Sequence, residues 1–157
     1  MSFLAGARYR LRMFRRGVVV LLTMWLSILV GTAQAWAEPG VDPGSPAGEA
    51  IVTPSVAALA AELGKPATLA VQVVNISEPW AFVYGGIRGA DGQPFDFRGT
   101  PLAEGAAEGF VSRTYAALLN HRGDRWTVTE QAVGPTDVAW QDWPQRYGAP
   151  ASLIAIP

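Results

Sequence analysis

Residues 125–150 read RWTVTEQAVGPTDVAWQDWPQRYGAP, and this stretch holds both halves of a fold, a strand and a helical piece divided by a turn. Trp126 to Val133 mixes β-branched, aromatic and apolar residues as a strand does. Gly134-Pro135 stops it, and Thr136 or Asp137 then stands where a helix would be capped, with Trp140, Trp143 and Tyr147 recurring at i, i+3 and i+7. Trp143-Pro144 breaks or restarts that helix, because proline is tolerated only in a first turn, and Gly148-Ala149-Pro150 ends it. Three of the six tryptophans fall inside the stretch, enough aromatic surface to pack back on a sheet. Any of Trp140, Trp143 and Tyr147 left exposed would mark a partner surface.

Upstream, Arg113 to Leu119 has the same strand composition and reaches Trp126 through Asn120-His121-Arg122-Gly123-Asp124, a hairpin connection in which glycine supplies positive φ. Earlier still, TLAVQVVNI at residues 68–76 and WAFVY at residues 80–84 alternate by face and are joined by the turn Ser77-Glu78-Pro79, an antiparallel pair. Gly85-Gly86 and Gly89-Ala90-Asp91-Gly92 loosen the chain, and Asp91-Gly92 folds Phe95-Asp96-Phe97 back as a short strand. Residues 99–111, rich in Gly and Ala with no period, read as a mobile loop with one helical turn, a natural place for binding. Before the sheet, Thr53-Pro54 opens a helix with Val56, Leu59, Ala60 and Leu63 on one face, closed by Gly64-Lys65-Pro66. The order of elements predicts an α+β domain over residues 53–157. Its antiparallel sheet has about four strands, with an N-terminal helix and a short C-terminal helical segment on one face. A small β-sandwich or barrel is the alternative.

The first 37 residues have the three-part build of a secretory signal peptide: basic residues ending at Arg15-Arg16, an apolar run from Gly17 to Val30, and small residues at Ala33, Ala35 and Ala37. Cleavage is expected after Ala37. The alternative is an inner-membrane anchor over residues 17–37, the one route by which the chain would contact a membrane. Residues 38–52, with Pro39, Gly40, Pro43, Gly44, Pro46 and Gly48, read as a disordered linker. Five of the 12 basic residues lie in the leader and all 13 acidic ones lie at Glu38 or beyond, so the remainder sets seven positive charges against thirteen and carries −6. An acidic domain has no footprint for nucleic acid.

The chain of 157 residues contains no cysteine, which excludes disulfides, thiolate metal sites and a Cys nucleophile. Its one histidine, His121, is expected at a hairpin tip, where a general base is hard to orient. No metal-ligand spacing is visible, no cofactor motif is present, and carboxylates that could form a glycosidase pair, Asp91, Asp96, Glu130 and Asp137, are scattered. The residues left as binding candidates are Thr136, Asp137, Trp140, Trp143 and Tyr147. Free amides at the start of the C-terminal helix, with Thr136, could take an anion or a substrate carboxylate.

Trp126-Thr127-Val128, Gly134-Pro135-Thr136-Asp137-Val138, Trp143 and Tyr147-Gly148-Ala149-Pro150, with Trp80-Ala81-Phe82-Val83 and Ala117-Leu118-Leu119, resemble small exported proteins of Gram-negative bacteria to which no activity is assigned. The resemblance implies an exported bacterial domain and carries over no catalytic residue. The expectation is a periplasmic or secreted non-catalytic domain that binds an envelope protein. The rival is a cystatin-like or NTF2-like domain with a small-molecule or catalytic pocket between helix and sheet, lined by groups such as Tyr84, Asp96, Tyr115 and Asp137.

Overall fold

The computed structural model describes residues 40–157. The signal peptide, its cleavage point and the anchor alternative lie outside the described residues. Within them the order is α1 (Pro46–Leu63), β1 (Ala67–Ser77), β2 (Trp80–Gly89), α2 (Ala103–Ala107), β3 (Thr114–Arg122), β4 (Arg125–Val133), α3 (Trp143–Tyr147) and a 3-10 turn at Ala151–Ile154. The strands form one open antiparallel meander in the order β1-β2-β3-β4. This is the expected α+β class, and neither a sandwich nor a barrel.

Strand alternation divides the sheet into two faces, and both are covered. Val74, Ala81, Val83, Ile87, Tyr115, Ala117 and Leu119 meet Ile51, Leu59 and Leu63 of α1 on the first. Phe82, Ala116 and Leu118 point the other way and meet Trp140, Trp143 and Leu153. The C-terminal segment therefore does not share a face with α1. Neighbouring residues of β2 and β3 are apolar on both sides, so a second apolar surface remained to be covered.

Helix α1 starts at Pro46, which corrects the reading of residues 38–52 as a disordered linker. Ser45 caps it by accepting a bond from the Gly48 amide at 3.1 Å, with Pro46 in the first turn. A Ser-Pro start signal stands here, eight positions before Thr53-Pro54. The three glycines around it hide it, and one of them has a packing reason: a Cβ on Gly48 would lie 2.2 Å from the Asp42 carbonyl oxygen. Pro54 thus falls inside the helix, where it deprives the Ala50 carbonyl of its usual partner. Just before the helix, the Val41 amide donates to Val74 O at 2.9 Å, so the chain is tied to β1 ahead of its first turn.

Gly85-Gly86 does not end β2, which continues to Gly89. Opposite these glycines β1 bulges between Val71 and Val73, and a Cβ on Gly85 would stand 2.5 Å from Ala70 O. The strand needs a residue without a side chain where the bulged neighbour leans in. Phe95-Asp96-Phe97 makes no strand beyond an isolated bridge between Arg88 and Pro94. Its two rings are buried instead, edge to face at 5.1 Å. The other outer strand, β4, carries a bulge opposite Leu118/Leu119, so both edges of the sheet are interrupted, a feature that discourages edge-to-edge pairing.

Candidate functional site

The five C-terminal candidates separate into three environments. Trp140 and Trp143 are 5% and 2% exposed and pack against Phe82, their rings 6.2 and 6.5 Å from its ring. They are core residues of the second face, which removes them as partner contacts. Thr136 and Asp137 are exposed on a bend after β4, and no helix begins there. Two turns intervene, closed by Gln141 N to Val138 O at 3.1 Å and Trp143 N to Trp140 O at 3.2 Å, and α3 starts only at Trp143 with Pro144 in its first turn. The proline restarts the helix, since a missing amide is harmless only there. The ring of helix-start amides proposed for an anion beside Thr136 is accordingly not formed.

Tyr147 is half-buried and belongs to a polar cluster. Its hydroxyl donates to Glu130 Oε2 on β4, and Arg146 bonds the same oxygen at 2.9 Å. Asp142 lies 3.5 Å from the other side of the Arg146 guanidinium. The hydrogen bond to Glu130 raises Tyr147 above the ordinary phenol range, with burial adding to the rise. The ring leans on Trp80, 6.5 Å between centroids. Together these groups clip the C-terminal segment to the sheet. Sequence gave no sign of it: Glu130 and Tyr147 are seventeen residues apart on different elements.

The space under α1 is the place where the rival reading puts a pocket. Leu59 and Leu63 fill it together with Val74, Val83 and Leu119, all at 0–1% exposure. Tyr115 does point inward there. Its hydroxyl donates to the Ser55 carbonyl at 3.1 Å and meets Gln131 Oε1 at 2.9 Å. Burial pushes this phenol far above its usual range. Tyr84 lies on the opposite face beside Trp140, and Asp96 and Asp137 are exposed. The four groups named for the pocket do not converge.

His121 lies near the hairpin end but is not loose. Its ring stacks on Trp126 at 4.6 Å and 11°, and Nδ1 is 3.2 Å from Glu78 Oε2. The His121 amide and the Asn120 side chain both donate to Pro79 O, at 2.8 and 3.1 Å, which pins the β1–β2 turn to the hairpin. Asp96 and Asp91 are engaged separately. Asp96 is paired with Arg98 at 2.7 Å, and the hydrogen bonds from Arg98 lower its carboxyl to about 2. Asp91 accepts from the Gln93 amide at 3.0 Å. Among the described residues no three His, Cys, Asp or Glu side chains come together as metal ligands, and no helix is long and apolar enough to cross a membrane.

What remains for contact with another molecule is surface. Phe110 is 71% exposed and Val138 55%, the two most exposed large apolar side chains among the described residues. A shallow open groove beside Val138 is lined by Gln141, Asp142 and Gln145. A second runs between the N-terminal half of α1 and the hairpin tip, over Ala50, Pro54, Ala57 and Trp126. No protein-family model, no curated protein and no solved structure matches the chain.

Proposed function

We propose that the chain is an exported protein whose acidic α+β domain acts in the bacterial cell envelope by binding a protein partner, without catalysis. The observation that carries this reading is the leader: basic residues through Arg16, an apolar run to Val30, and alternate small residues ending at Ala37, in the order that a secretory signal requires. The described domain supports the binding half with the exposed apolar side chains of Phe110 and Val138.

The test is made on the full chain, tagged at its C-terminus and expressed in a Gram-negative host. Cell fractionation with intact-mass measurement should find a periplasmic species beginning at Glu38. Full-length protein confined to the cytoplasm would remove the export half. For the binding half, crosslinking in intact cells of its own organism should give a discrete protein adduct above a control domain carrying the same leader. Equal yields from the two would remove it.

A further inference from the structure

We infer that the end of the sheet where β3 begins and β4 leaves is a docking surface for a protein that offers an apolar socket bordered by Lys and Arg. The inference rests on the protein-binding reading above and adds to it a location and a partner chemistry. Phe110 and Val138 belong to one crossing of the chain. The Ser112 amide donates to Gly134 O at 2.9 Å and its hydroxyl to Pro135 O. A Cβ on Gly134 would lie 2.3 Å from a Val111 methyl, so the two segments touch. Phe110 stands just before this contact and Val138 just after it.

The backbone that presents Phe110 is fixed. The amide of Gly109 donates to Ala106 O at 3.3 Å and that of Phe110 to Gly105 O at 2.8 Å, the paired bonds of a Schellman helix end. In such an end the residue in the position of Phe110 commonly packs on the side chain in the position of Gly105. Gly105 has none, and a Val111 methyl sits 3.1 Å from where its Cβ would be. The ring is thereby deprived of its usual cover within the chain, although the turn holding it is fully hydrogen-bonded. A backbone already fixed by hydrogen bonds leaves only the ring's own rotamers to be ordered on binding, which suits an interface anchor.

Charge selects the partner. Glu104 on α2, Glu108 at its C-cap two residues before Phe110, and Asp137 next to Val138 are all exposed. Arg113 is the basic residue of the crossing, and its Nε is bonded to Phe95 O at 2.9 Å. An acidic rim around an apolar centre complements a socket with a basic rim and opposes an anionic lipid surface.

The test places the photoreactive residue p-benzoylphenylalanine at Phe110 or Val138 of the full chain, in cells of its own organism. The same residue at Ala50 or Asp124, on the groove at the far end of the β3–β4 hairpin, serves as comparison. Expected is a discrete protein adduct from positions 110 and 138 alone. The crosslinked partner peptide should lie beside an apolar pocket flanked by Lys or Arg. The double substitution Glu104→Lys/Glu108→Lys should lower the yield roughly tenfold while the thermal midpoint stays unchanged. Adducts from positions 50 and 124 alone would overturn the location and leave the protein-binding reading standing. Silence at all four positions, with the exported protein present, would overturn both. An adduct with a second copy of this chain or with lipid, or a yield indifferent to charge reversal, would overturn the partner chemistry.

Discussion

The two faces of the sheet are closed by opposite means. On the first, α1 supplies eighteen residues of continuous helix, and its contact with the sheet is mostly aliphatic. On the second, a segment with only a five-residue helix and a 3-10 turn does the covering, and the rings of Trp140 and Trp143 pack on Phe82 at its centre. A long helix satisfies its backbone internally and can dock as a unit, whereas a short irregular segment must be held by its side chains. The second face accordingly carries tethers beyond its apolar contacts. Glu130 binds Tyr147 and Arg146, and Asn75 donates to the carbonyls of Leu153 and Ala155 at 2.8 and 3.0 Å.

The sharpest challenge to that contrast is Phe82→Ala. Phe82 is fully buried between the sheet and the two tryptophans, so its truncation should cost about 3–5 kcal/mol. Hydrogen exchange should show residues 140–154 opening at lower free energy than α1, and simultaneous opening of α1 would mean that the faces form one cooperative unit.

On the first face, Tyr115→Phe leaves Gln131 without its buried partner and should cost about 1–3 kcal/mol in chemical denaturation. The variant also carries a pH signature. A phenol whose folded pKa is raised stabilises the fold fully below the unfolded value, and that stability is lost as pH rises beyond about 10 toward the folded value. Wild type should therefore lose stability in alkali more steeply than Tyr115→Phe, and parallel curves would refute the buried hydroxyl.

Ser45→Ala removes the cap of α1 and should cost about 1 kcal/mol, while Thr53→Ala, on an exposed mid-helix position, should be near neutral. The reverse result would put the helix start at Thr53. The smallest effect lies away from both faces. The Asp96 carboxyl, lowered to about 2 by its bonds from Arg98, stabilises its loop above the unfolded value of 3.8 and loses that contribution as pH falls through about 2. Asp96→Asn should flatten the acid limb of a thermal-midpoint profile between those values and leave neutral pH almost unchanged, because the pair is solvent-exposed.

The four strands and the two hairpins, β1 with β2 and β3 with β4, were legible because period-two alternation and turn residues are local signals, whereas the pairing of β2 with β3 was not. The C-terminal aromatics were legible as a group, but their role was not. At i, i+3 and i+7 spacing they suggested a stripe on one helix. The chain instead reaches Trp140 through turns and Trp143 at a helix start, so packing on Phe82 rather than helical phase buries them. Phe110 was invisible as a candidate, since one phenylalanine in a Gly/Ala-rich loop has no periodicity to set it apart. Its exposure follows from Gly105 and Val111, whose arrangement exists only once the helix end is formed.

By itself the sequence determined the class of the domain, four antiparallel strands with a helix before them, along with its acidity, its lack of thiol chemistry and the leader pattern that motivates export. These properties depend on neighbours within a few residues or on composition. Tertiary structure alone decided that the two helical pieces take opposite faces, that Tyr115 finds Ser55 and Gln131, that Glu130 holds Tyr147, and that Phe110 stays in water. Each of these depends on which distant residue arrives at a given place, and no local pattern encodes that.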